Sequence, residues 1–112
     1  MKEKSFAFAI RIINLYKHLS EKKKEYILSK QLLRSGTAIG ALVGESEHAE
    51  SNDDFIHKMS VALKEANETE YWILLLCQTN FISEKEFKSI HANIEELLRL
   101  LISMIKTSKN NE

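Results

Sequence analysis

Residues 51–79 read SNDDFIHKMSVALKEANETEYWILLLCQT, and their apolar spacing decides the fold. Phe55, Met59, Ala62, Ala66, Thr69, Ile73 and Leu76 follow one another at intervals of 4-3-4-3-4-3. That spacing lines them along one side of an α-helix and reproduces the seam of near-antiparallel bundle packing. Ser51 is placed to cap the helix, and Asp53 and Asp54 suit the positive end of its dipole. Thr79-Asn80 closes it, so the stretch predicts a helix over about 52–79.

Working outward, Ser83-Glu84-Lys85-Glu86 has the form of a capping box, in which a hydroxyl and a carboxylate three residues apart satisfy free amide donors. It opens a helix over about 84–106, with Phe87, Ile90, Ile94, Leu97, Leu101 and Met104 as its seam. The polar residues 107–112 are expected to fray. On the N-terminal side, Ser20-Glu21 reads as a helix start, giving helices over about 3–20 and 21–49. Connections this short make consecutive helices antiparallel neighbours. The expectation is therefore an all-α, up-down-up-down four-helix bundle formed by residues 1–112 as one domain.

The first helix has more apolar surface than such a bundle covers. Phe6, Ala9, Ile10, Ile13 and Tyr16 form one stripe, and Phe8, Ile12, Leu15 and Leu19 form the adjoining one, leaving only Arg11, Asn14 and His18 as a polar sector. Phe8, Ile12, Leu15 and Leu19 are the residues expected at a subunit interface. All three glycines, Gly36, Gly40 and Gly44, recur at every fourth position of the second helix. Each costs about 1 kcal/mol relative to alanine in a helix interior, so the ladder predicts close approach of a neighbouring helix. No strand precedes it and no lysine stands where a phosphate-binding loop needs one.

A composition of 44% hydrophobic and 29% charged residues without proline is that of a folded, helix-rich domain. The longest apolar run, Trp72 to Cys77, is far shorter than a membrane span, and a cytoplasmic protein that does not engage membranes is expected. Cys77 has no disulfide partner and reads as core filler. Net charge is zero, yet basic residues crowd the first third and acids the second. Lys22, Lys23, Lys24, Lys30 and Arg34 surround the turn between the first two helices, at one end of the bundle. They are the candidate contacts for nucleic acid or an acidic partner.

Enzymatic chemistry finds little footing. Glu45-x-x-His48 and Asp54-x-x-His57 invite a metal-dependent bundle enzyme, but both flank one turn, whereas such sites draw ligands from every helix towards the middle. His18 and His91 stand alone in the sequence. No serine or cysteine neighbours a base. Glu65, Glu68 and Glu70 read as a solvated or subunit-facing surface. No catalytic, cofactor or metal site is predicted, and no small-molecule substrate.

The blocks Ser35-Gly36-Thr37-Ala38-Ile39-Gly40-Ala41-Leu42-Val43, Glu45-Ser46-Glu47-His48-Ala49, Asp54-Phe55-Ile56-His57-Lys58-Met59 and Ala62-Leu63-Lys64-Glu65-Ala66-Asn67-Glu68-Thr69-Glu70-Tyr71-Trp72 resemble the 23S rRNA intervening-sequence protein family of bacterial four-helix bundles. The resemblance extends over essentially the whole chain. It implies a homopentameric ring without an established biochemical role. A related branch, the accessory variability proteins of diversity-generating retroelements, is strongly basic and associates with reverse transcriptase and nucleic acid. The resemblance thus implies a self-assembling interaction or scaffold protein, with a nucleic-acid-binding accessory factor, contacting RNA, DNA or a reverse transcriptase, as the alternative.

Overall fold

The computed structural model describes residues 1–111 as four helices: α1 (Lys2–Glu21), α2 (Leu28–Ser46), α3 (Asn52–Gln78) and α4 (Glu84–Asn110). Side-chain pairs fix their directions. Lys2 near the start of α1 meets Glu47 just past α2, Arg34 early in α2 meets Glu65 and Glu68 midway along α3, and Glu70 meets His91 early in α4. Lys2–Glu47 and Asn52–Ser108 join the start of one helix to the end of the next, and with the short connection between α2 and α3 the run is antiparallel throughout. The molecule measures 48 × 21 × 20 Å.

Local chemistry sets the helix ends. Ser51 accepts the Asp54 amide at 3.0 Å, and Ser83 and Glu86 form the complete capping box. Asn80 adopts φ 66° after α3, and the Phe81 amide reaches back to the Leu76 carbonyl at 2.9 Å. This is the left-handed helix stop that asparagine tolerates.

The first break differs from the sequence expectation. Ser20 belongs to α1, where its hydroxyl donates to the Tyr16 carbonyl, and α2 begins at Leu28 rather than at residue 21. Between them Lys24 turns the chain with φ 56°. Glu25, buried, supplies the cap: its carboxylate accepts from the amides of Ile27, Leu28 and Ser29 at 2.7 to 3.0 Å, while the Ser29 hydroxyl donates to the Glu25 carbonyl. A charged acceptor on three free amide donors outweighs a serine at position 20. At the other end, residues expected to fray from 107 onward remain helical as far as Asn110, with the Asn52 side chain donating to the Ser108 carbonyl. The expectation for Glu112 lies outside the described residues.

One apolar core runs the length of the bundle. Met59, Ala62, Ala66, Thr69, Ile73 and Leu76 are its α3 contribution, and Ile90, Ile94, Leu97, Leu101 and Ile105 its α4 contribution. Each fully buried leucine or isoleucine stabilises the fold by roughly 1.5–3 kcal/mol. A polar pair deep within it is satisfied, the Thr69 hydroxyl donating to the Ser35 hydroxyl at 2.9 Å between α3 and α2. Among the described residues no buried side-chain polar atom lacks a partner.

Candidate interaction surfaces

The face of α1 that turns inward is set by α2. A Cβ on Gly36 would lie 2.9 Å from two carbons of Ile12, and one on Gly40 would lie 3.3 Å from the backbone oxygen of Ser5. Gly44, the third step of the ladder, has nothing within 4 Å. Ile12 and Ser5 thus rest on bare helix backbone, and that docking fixes the rotation of α1. Phe8, Ile12 and Leu19 are consequently buried in the protomer's own core, and Leu15 packs partly buried against it. Burial withdraws Phe8, Ile12 and Leu19 from the subunit interface expected from the sequence, while Leu15 borders the cleft between α1 and α4. The outward stripe is the other one: Phe6 is 67% exposed, Ile10 48% and Ile13 37%. Spaced i, i+4, i+7, these three form a continuous apolar strip on one surface helix.

On its third side α1 faces α4 across the most open seam of the bundle. The Arg11 guanidinium spans it, donating to the backbone and side-chain oxygens of Ser89 and to the Asn93 amide oxygen, and Lys4 pairs with Glu96 at 3.1 Å. Clefts of about 290 and 300 Å³ lie on either side of Arg11. The polar sector Arg11, Asn14 and His18 lines this seam, with Leu15, Ile82 and Ile90 beside it.

The basic end gathers residues from three helices. Lys17, Lys22, Lys23, Lys24 and Lys30 are exposed there, and Lys85 and Lys88 join them from the start of α4, a contribution that chain order conceals. Lys23 and His18 lie near enough to Glu86 to help hold its carboxyl below the ordinary carboxylate value, after the dominant hydrogen bonds from Ser83. None of these seven lysines enters an ion pair among the described residues, whereas Lys2, Lys4, Arg34, Lys58 and Arg99 all do. Arg34 separates from the cluster on that ground. Its guanidinium is held by Glu65 and Glu68 of α3, and Glu68 also accepts from the Trp72 indole at 3.3 Å. The Arg34 side chain, 50% exposed, thus ties α2 to α3 within the chain. Beside the lysines, Tyr26 is exposed and Ile27 is 78% exposed, both on the α1–α2 turn.

The acidic motifs behave as separate helix-end groups. Asp54 accepts from the Glu50 amide and pairs with Lys58 at 3.7 Å. Cys77 is partly buried against the core, without a disulfide. His91, solitary in sequence, is not so in space, since Glu70 and Glu95 flank its ring. No helix among the described residues is long and apolar enough to cross a membrane.

The fold defines an all-α four-helix bundle protein, with exposed apolar residues that include Phe6, Ile10 and Ile13 of α1. The chain belongs to the 23S rRNA-intervening sequence protein family, whose model matches residues 1–103. A crystal structure of a protein with unknown function from the S23 ribosomal protein family of Bacteroides thetaiotaomicron VPI-5482 superposes with a TM-score of 0.93. The two sequences are 54% identical over 94% of this chain and 97% of the other. No curated protein gives a significant match.

Proposed function

We propose that this chain is a non-enzymatic, self-assembling interaction protein whose basic end contacts nucleic acid. The observation that carries the reading is the set of seven lysines at one end, drawn from α1, the α1–α2 turn, α2 and α4, that form no ion pair among the described residues. Exposed ammonium groups without carboxylate partners are free to replace counterions along a phosphate backbone, and Tyr26 beside them offers a ring for an unpaired base. Assembly rests on the strip Phe6, Ile10 and Ile13, which a second copy would cover. A homopentameric ring is the assembly we favour. With all subunits pointing the same way, it would gather the lysine ends on one face and multiply weak contacts. The setting is cytoplasmic, consistent with an unbridged Cys77.

The test is retention of single-stranded RNA by the purified chain as a function of salt. Retention should fall steeply between about 50 and 200 mM salt. Replacing Lys22, Lys23 and Lys24 together by glutamate should abolish it while leaving the helical content unchanged. Retention undiminished in that variant would refute the reading.

A further inference from the structure

We propose that Glu70, His91 and Glu95 form a divalent-cation site, suited to zinc, that ties α3 to α4. The antiparallel packing of these two helices brings Glu70 of α3 opposite His91 of α4, and Glu95 follows His91 by one turn on the same face. The imidazole is flanked on both sides: Nε2 lies 2.9 Å from one Glu70 oxygen and Nδ1 lies 2.8 Å from one Glu95 oxygen. A neutral imidazole carries a single N–H, and its other nitrogen offers a lone pair that can coordinate a cation. A glutamate oxygen stands within 3 Å of each nitrogen, so an ion bound at either one has a carboxylate beside it.

The remaining geometry suits a metal. One ring nitrogen of His91 and one oxygen from each glutamate lie within 4.8 Å of one another. Zinc bonds of about 2.0–2.2 Å in a tetrahedron place ligand atoms roughly 3.3–3.6 Å apart. Closing that gap calls for rotation of the two glutamate side chains, which are 35% and 46% exposed. Arg99 holds Glu95 only at 3.7 Å and is itself 70% exposed, so it is a weak competitor. The ring is already oriented, stacked on Phe87 with centroids 4.8 Å apart and planes at 19°. One imidazole and two carboxylates favour zinc over magnesium or calcium, which prefer shells made of oxygen alone. With three protein ligands and water in the fourth position, the ion would cross-link the hairpin formed by α3 and α4.

The deciding experiment is thermal unfolding of the tag-free full-length chain, stripped with chelator and then titrated with zinc or magnesium chloride. Saturating zinc should raise Tm by about 5–10 °C and magnesium should leave it unchanged. The rise should vanish in His91→Ala and in Glu70→Gln but persist in His57→Ala, whose histidine lies elsewhere. Should His91→Ala fail to fold, the double variant Glu70→Gln, Glu95→Gln makes the same decision with the ring retained. No zinc response in the native chain, or one that survives in these site variants, overturns the proposal.

Discussion

Ile12 lies so close to the backbone of Gly36 that an added Cβ would sit 2.9 Å from both of its γ-carbons. Gly36 is therefore a seat for Ile12 rather than a flexible point, and it determines which apolar stripe of α1 is buried. The helix-propensity cost of the glycine is offset by this close approach of two helices.

Gly36→Ala is expected to destabilise the bundle by about 1–2 kcal/mol, since overpacking a tight contact costs more than the alanine gains in helix propensity. Gly44→Ala, with open space around the new methyl group, is expected to stabilise it by about 0.5–1 kcal/mol. Urea denaturation of the two variants should show midpoints displaced in opposite directions. Equal displacements would contradict the notch.

The Glu25 cap makes stability depend on acid. Burial pushes its carboxyl up, but donation from the Ser29, Leu28 and Ile27 amides outweighs burial and holds it below the ordinary value of 4.5. A carboxyl lowered in the folded state contributes its full stability above the unfolded value, and that contribution is lost as pH falls through the folded one. Glu25→Ala should cost about 1–2 kcal/mol at pH 7, the scale of a lost helix cap. Its deficit relative to the native chain should shrink below about pH 4.5, as thermal melts at several pH values would reveal.

Arg34 and the lysines should respond differently to substitution. Arg34 is committed to Glu65 and Glu68, and Glu68 is held below the ordinary carboxylate value chiefly by its hydrogen bond from Arg34. Arg34→Ala should lower stability by about 0.5–1 kcal/mol, as expected for a partly exposed ion-pair network, and leave RNA retention nearly unchanged. Lys23→Ala should do the reverse. Melting curves and filter retention on the same preparations separate the two effects.

The outer strip of α1 predicts a defect confined to assembly. The native chain should scatter light as a multiple of 12.9 kDa, and Phe6→Glu combined with Ile10→Glu should yield a folded protomer with a mass near that of one chain. Ile12→Glu, within the core, should instead unfold the protein, because a charge buried without a partner is too costly to keep. A native chain of single-protomer mass would remove the basis for a ring.

Much of the architecture is written in local chemistry. The α3 file predicted from Phe55 to Leu76 is buried residue for residue from Met59 onward, with Phe55 at its head partly buried, and Ser51, Ser83 and Glu86 cap as read. The α1–α2 break escaped because its determinant, Glu25, acts through a turn around Lys24 that no glycine marks. The separation of Glu25 and Ser29 by one helical turn was the available signal.

What the amino-acid order determined by itself is four helices, their antiparallel succession and an excess of apolar surface on the first, since these follow from spacing and capping within a few residues. Which of the two α1 stripes stays exposed, which cations remain unpaired and that Glu70 meets His91 were decided only in three dimensions. Rotation of a helix about its axis depends on what it packs against, here Ile12 against Gly36. The carboxylates that hold Arg34, and Glu70 beside His91, come from a neighbouring helix that packing joins, whereas Glu95 lies one turn along the helix of His91 itself.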